Sequence, residues 1–307
     1  MKILVTGGAG FIASHIADAY LADGHEVAVL DNLSSGFPHN IPDAAQFYEC
    51  DIRDADKVEG IFREFQPEVV SHHAAQLDVR KSVADPVFDA QINVCGGLNI
   101  LQSAVANGTR RVLFSSTGGV IYGEPDYLPV FENHPLRPES PYGLTKMIFE
   151  GYLRVWRQLH GLETVVMRYG NVYGPRQTAH GEAGVVAIFA GLLLENRPCK
   201  IFGDGNAARD YVYIGDVVEA NRAALHHGAG EIFNIGTAIP TTTREVFDAV
   251  RDAVGGGPEE PEFHPHRPGE IQRICLDNSH AAELLGWTPE MNFREGVRLT
   301  VDALREK

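Results

Sequence analysis

The chain opens with a strand-sized apolar run that empties into a glycine loop, and that junction restricts the fold more than any other feature. Ile3-Leu4-Val5 leads into Thr6-Gly7-Gly8-Ala9-Gly10-Phe11-Ile12-Ala13, and helical periodicity starts at Phe11. Gly8, Gly10 and Ala13 match the spacing G-x-G-x-x-G/A. The first small residue permits a tight turn, the second lets backbone N–H groups approach a pyrophosphate, and the third lets helix and strand pack closely. The helix N-terminus then faces the phosphates with unpaired donors and the positive end of its dipole. The next apolar run, Val27–Leu30, ends in Asp31, about 20 residues beyond the loop. A carboxylate there can grip the adenosine ribose hydroxyls and would repel a 2′-phosphate, so NAD is favoured over NADP.

The rest of the first half repeats this rhythm. Apolar runs at Phe47–Cys50, Val69–Val70, Val112–Phe114 and Thr164–Met167 alternate with helical patterns such as Ile92–Val105 and Tyr142–Leu159. Near-continuous apolar strands separated by helices predict an α/β protein, a Rossmann-like doubly wound parallel sheet covered on both faces. After Gly174 the rhythm breaks. With 307 residues, the chain is expected to divide into a dinucleotide-binding domain over 1–173 and a smaller C-terminal α/β substrate domain over 174–307. The chain is expected to revisit the first sheet near 210–237, through the strand-like Ile232–Ile235.

Charge and composition narrow the function classes. A formal net charge of −15 disfavours nucleic acid and anionic membranes as partners. Four scattered cysteines without C-x-x-C read as reduced thiols of a cytoplasmic protein. The longest apolar run, Ala183–Leu194, ends at Glu195, short of the ~18 residues of a membrane helix. The histidine groupings lack metal-ligand spacing, so no metal is expected.

A second chemical signal lies in Ser140-Pro141-Tyr142-Gly143-Leu144-Thr145-Lys146. Ser140 suits an N-cap and Pro141 a first helical position. Tyr142 and Lys146 then share one helix face. A phenol starts near pKa 10, and a base working at neutral pH needs it near 7, which corresponds to about 4 kcal/mol of preferential phenolate stabilisation. Lys146 and an oxidised nicotinamide are two cations able to supply it. Ligands of doubly wound sheets sit at the carboxyl ends of strands. Ser115-Ser116-Thr117, His72-His73-Ala74-Ala75 and Arg168-Tyr169-Gly170-Asn171 all arrive at that rim.

Together these segments resemble the extended short-chain dehydrogenase/reductase family, and within it the nucleotide-sugar epimerases. The motifs that carry the resemblance are TGGAGFIASH (6–15), DNLSSG (31–36), DIRD (51–54), HHAAQ (72–76), SSTGGVIYG (115–123), SPYGLTK (140–146), RYGNVYGPRQ (168–177), RDYVYIGDV (209–217) and RPGE (267–270). The resemblance implies an NAD-dependent 4-epimerase acting on a UDP-sugar, interconverting UDP-glucose and UDP-galactose through a transient 4-keto sugar. Tyr142 and Lys146 would be the catalytic pair and Thr117, or its neighbour Ser116, the hydroxyl partner of the sugar 4-oxygen. Gly7, Gly10, Phe11, Ile12, Asp31, Asn32, Gly36, Asp51, Ile52, Ala74, Ala75, Gln76, Asn93, Ser115 and Tyr169 would join that pair in holding NAD. Asn171, Val186, Phe202, Arg209, Arg267 and Glu270 would hold the UDP-sugar together with Thr117. Ile274 would gate the pocket against an N-acetyl group. The alternatives within the family are a UDP-glucuronate 4-epimerase or a 4,6-dehydratase, against which Gly118 counts, because dehydratases carry an acid there. A silent dinucleotide-sensing module is the alternative outside it. A homodimer is implied, paired through the helices at Ile92–Val105 and Tyr142–Leu159.

Overall fold

The computed structural model describes residues 1–178, 184–266 and 271–306. Its first half alternates strand and helix. β1 (Lys2–Thr6) runs into α1 (Phe11–Ala22) and β2 (Glu26–Asp31), and then come β3 (Gln46–Glu49), α2 (Ala55–Phe65) and β4 (Val69–His72). Two short helices follow, α3 (Val79–Ala84) and α4 (Pro86–Ala90). A π-helical segment (Gln91–Gly96) leads into α5 (Gly97–Ala106), β5 (Arg111–Thr117), the long α6 (Pro141–His160) and β6 (Glu163–Tyr169). The continuous helix expected over Ile92–Val105 is therefore α-helical only from Gly97 onward. Its first turn is widened where Asn93 turns inward to bond to the rim after β4.

β1 to β6 are joined by one later strand, β10 (Ile232–Ile235), in a seven-stranded sheet of order β10-β6-β5-β4-β1-β2-β3. Every pairing in it is parallel. The order reverses between β1 and β4, which opens a crevice at the carboxyl ends of the strands. The pleat sorts side chains to two faces. Ile3, Val5, Val29, Leu113 and Met167 pack toward α1, and Leu4, Leu30, Val70, Phe114 and Val166 pack toward α2, α5 and α6. Both faces are covered, which is why these strands read as continuous apolar runs.

Beyond β6 the chain forms β7 (Asn171–Tyr173), α7 (Val185–Leu194), β8 (Lys200–Phe202), β9 (Ala208–Tyr213) and α8 (Ile214–Ala224), and after β10 it forms β11 (Pro240–Thr242), α9 (Thr243–Val254), β12 (Glu262–His264), α10 (Ser279–Leu285) and α11 (Phe293–Arg305). The apolar run ahead of Glu195 is α7, which packs with α9 and α11 around Val186, Phe189, Phe247 and Val297. α8 instead lies against α1, with Val217 and Ala220 in the core of the first sheet. Among the described residues no helix is long and apolar enough to cross a membrane.

Candidate active site

The glycine loop has the shape a dinucleotide needs. Gly7 sits at φ 71°, and a Cβ there would lie 2.8 Å from Ala74 N, so the loop and the rim after β4 approach through bare backbone. No side chain caps α1 at Gly10, which leaves the N–H groups of Phe11 and Ile12 for an anion. Gly36 lies against Ala9 on the other side, where a Cβ would come within 2.7 Å of the Ala9 side chain. Asp31 is buried beside this loop and accepts from Ala9 N at 3.0 Å and Leu33 N at 2.8 Å. Those bonds aim the carboxylate and leave lone pairs for ribose hydroxyls.

Next to it, Asn32 donates to Asp51 at 3.0 Å. Arg53 makes a two-pronged contact to the same carboxylate, at 2.9 and 2.7 Å, and holds it down at about 2. Ile52 is buried under Gly96, and its carbonyl accepts from Asn99 at 2.9 Å. A hollow lined by Asp51, Arg53, Gln91, Cys95 and Asn99 opens beside it. These features fit the adenosine half of NAD.

α6 delivers the second half of the site. Ser140 accepts from Gly143 N at 3.2 Å and Pro141 occupies the first turn, so the helix starts where the serine and proline direct it. Lys146 is buried, and its Nζ donates to Ser115 O at 2.8 Å, at the end of β5. It lies 5.9 Å from the centre of the Tyr142 ring. Burial pushes the Lys146 ammonium down to about 8, against the pull of Asp89 and Glu150. Burial and then Asp89 raise the Tyr142 phenol. The protein without a bound cation therefore favours neutral phenol. His72 and His73, behind this rim, are pushed to about 3 by burial and then by Lys146, so they add no charge.

The pleat of β5 separates the two candidate hydroxyls. Ser116 is buried and donates to Glu150 at 2.5 Å, on the α6 face. Thr117 points the other way. A Cβ built on Gly119 would lie 3.8 Å from Thr117 Oγ1 and 3.4 Å from Asn171 Oδ1, so these two side chains converge on one small space. Gln76 and Asn93 stand at the opposite rim, joined by reciprocal bonds of 2.8 and 3.0 Å.

The remaining sequence candidates divide. Arg209 reaches over Ala208 O at 3.0 Å at the edge of β9, and Phe202 stacks obliquely on His264, ring centres 5.5 Å apart. Tyr169 and Val186 differ from a simple side-chain reading. The Tyr169 ring is buried and bonded to Asn221 at 2.9 Å, and its carbonyl accepts from Gly118 N at 2.7 Å. Val186 is 1% exposed in the α7 core, so only its first-turn N–H can reach a ligand. Ile274 is a correction. It is 1% exposed among Ile121, Tyr122, Val130 and Leu276, because its strand-like segment turns it into that cluster and not toward an open pocket. Arg267 and Glu270 lie outside the described residues.

Several structural residues carried little local signal. Asp210, beside Arg209, is buried and accepts from Thr237 N, Ala238 N and Leu276 N at 2.7, 3.1 and 3.0 Å, tying the loop after β10 and the Leu276 segment to β9 behind the site. Asp89 and the pair Glu150–Arg168 are likewise buried. The sequence hint for these was helical spacing: Asp89 stands four residues before Asn93, and Glu150 four after Lys146.

A doubly wound sheet with a glycine-loop cradle, a ribose carboxylate and a Tyr–Lys helix at its carboxyl edge defines a dinucleotide-dependent enzyme of the short-chain dehydrogenase/reductase type. Residues 3–236 match the model of the NAD dependent epimerase/dehydratase family. The chain belongs to that family, and it is an NAD-dependent epimerase. A UDP-glucose 4-epimerase of Mycolicibacterium smegmatis is 48% identical over 100% of this chain and 99% of its own. The crystal structure of UDP-glucose 4-epimerase from Thermotoga maritima with UDP-glucose superposes with TM-score 0.98, at 46% identity over 100% and 99% of the two chains. The Thermus thermophilus UDP-glucose 4-epimerase complex with NAD gives TM-score 0.94 and 50% identity, over 99% of each.

Proposed function

We propose that this chain interconverts UDP-glucose and UDP-galactose through a transient 4-keto sugar, with Tyr142 as the base. The observation that carries this reading is the Tyr142–Lys146 pair on α6, tied by Lys146 Nζ to Ser115 O at the end of β5, the same strand end that carries Thr117 beside Asn171. NAD, when bound, supplies the oxidising and reducing chemistry at carbon 4. The Tyr142 phenolate takes the proton of the sugar 4-hydroxyl and later returns it to the oxygen on the opposite face. Lys146 stabilises the phenolate, and Thr117 orients the 4-oxygen. Arg209 and Asn171 grip the diphosphate, about which the sugar turns. A forked guanidinium suits those charged oxygens.

The dehydratase alternative is disfavoured at one position. An acidic side chain in place of Gly118 would collide with Leu276, which is 0% exposed. The test is incubation with UDP-galactose: UDP-glucose should form without net accumulation of NADH. A 4-keto-6-deoxy product would overturn the reading.

Two further outcomes follow from the binding residues. Asp31→Ser should narrow the preference for NAD over NADP, since it removes the charge that repels a 2′-phosphate; titrating both cofactors measures it, and an unchanged ratio would refute the role. Arg209→Ala should weaken UDP binding by about 2 to 5 kcal/mol, read by calorimetry with UDP. Lost turnover at unaltered UDP affinity would contradict a diphosphate contact.

We infer a homodimer working in the cytoplasm. Leu144 and Ile148 are 43% and 39% exposed on α6, and Val83 and Val87, 62% and 64% exposed, lie on the two short helices packed beside it. A second copy would cover this apolar face. The described cysteines are all free thiols. Sedimentation of Leu144→Glu against the native protein tests the dimer.

A further inference from the structure

One buried carboxylate outside the proposed reaction gathers the parts that the reaction needs. Asp89, at 0% exposure, lies on α4. Its Oδ1 accepts from Gln76 Nε2 at 2.9 Å and from Asn93 Nδ2 at 3.1 Å, and its Oδ2 accepts from Thr145 Oγ1 at 2.8 Å. The donors come from three separate places: the rim after β4, the π-helical segment, and α6. Thr145 lies between Tyr142 and Lys146 on the helix, and its hydroxyl oxygen also lies 3.0 Å from Tyr142 O, the alternative acceptor for its one proton.

All three partners are neutral. They satisfy the carboxylate's geometry without cancelling its charge, so its field extends into the low-dielectric surroundings. Structure alone does not require that charge. An amide of the same shape could accept from Gln76 and Asn93 and donate to Thr145, whose hydroxyl can reverse. An ionised group at this point therefore acts on its charged neighbours as well as on its donors.

We propose that Asp89 is a positioning residue: it locks the Tyr142–Lys146 helix to the Gln76–Asn93 rim, and its negative charge biases the ionisation of the Tyr142–Lys146 pair. This rests on the reading of Tyr142 as the base. The groups that face the pair are few. Asp89 faces it from α4 and Glu150 from α6 itself; His72 and His73, at the end of β4, are neutral by burial; β5 contributes the Ser115 carbonyl and the Phe114 ring, 4.8 Å from Lys146 Nζ. Asp89 opposes a phenolate at Tyr142 and favours an ammonium at Lys146. Removing its charge should ease ionisation of the phenol and ease deprotonation of the lysine, so both limbs of a pH profile should move toward acid together.

The test compares Asp89→Asn and Asp89→Ala with the native enzyme, by NAD content after purification and by kcat for UDP-galactose against pH. Asp89→Asn should keep its NAD, and its whole bell should move to lower pH by about one unit. A profile that superimposes on the native one, or a uniform fall in kcat with unmoved limbs, would overturn the proposal. Asp89→Ala, which lacks all three acceptors, should retain several-fold less NAD; if it does not fold, the asparagine variant still decides. Should the native protein fail to convert UDP-galactose, the proposed function falls by itself. The NAD content of Asp89→Ala still tests the lock, and native-like retention would overturn it.

Discussion

Tyr142→Phe is expected to lower turnover of UDP-galactose by a factor of about 100 to 10,000 and to leave UDP affinity as it was. The substitution removes one hydroxyl and keeps the ring, so packing in the first turn of α6 survives. The size of the effect follows from the electrostatics of that turn. Burial and Asp89 push the phenol up, away from its working form. The opposing influences are Lys146, a buried ammonium with its pKa at about 8, and the positive charge that oxidised NAD brings when bound. A lysine with its pKa at about 8 is mostly protonated at neutral pH, and on the proposed reading its charge and the cofactor's together offset the rise in the phenol. Phenylalanine has no proton to give or take, and the neighbouring histidines cannot replace it. His72 is buried and His73 half-buried, both held neutral by desolvation, with Thr6 and Ser71 on one nitrogen of each. Steady-state kinetics with UDP-galactose, paired with calorimetric titration of UDP, checks both halves. Native-like turnover would remove Tyr142 from the base's role.

Features encoded within a few consecutive residues were legible in the chain itself. The glycine loop, Asp31, the strand runs and the capped start of α6 each follow from local pattern, and each is where the pattern puts it. The strand Ile232–Ile235 could be seen as apolar, but its place beside β6 depends on the long stretch of chain between the two folding back on itself. Side-chain direction was harder. Ser116 and Thr117 differ by one position, and only the pleat decides which hydroxyl meets Glu150. Val186 and Ile274 are apolar residues whose faces are chosen by packing on α9, Tyr122 and Leu276. The buried polar knots were illegible for another reason. Asp89 finds its partners 13, 4 and 56 residues away, and a lone aspartate on a short helix reads as a solvated surface residue.

Arg168→Leu is expected to destabilise the fold by about 3 to 5 kcal/mol, because it leaves a charge buried without its partner. Glu150 and Arg168 have side chains only 5% and 3% exposed and meet at 2.6 and 3.0 Å. The pair holds other parts in turn. Glu150 accepts from Ser116 at 2.5 Å, which fixes the strand end that carries Ser115 O and Thr117. Arg168 donates to Tyr122 OH at 2.8 Å, and Tyr122 donates to Asn234 Oδ1 at 2.7 Å on β10. Leucine fills the volume but satisfies none of these acceptors. At about 2.1 cal/mol/K of unfolding entropy per residue, the loss corresponds to a fall in Tm of roughly 5 to 8 °C. The paired variant Glu150→Leu/Arg168→Leu removes the stranded charge, so it should recover part of the loss. Thermal melts of the two single variants and the double close the cycle. A single Arg168→Leu that melts with the native protein would mean that Glu150 finds its compensation elsewhere, and that the strand end bearing Thr117 is held without this pair.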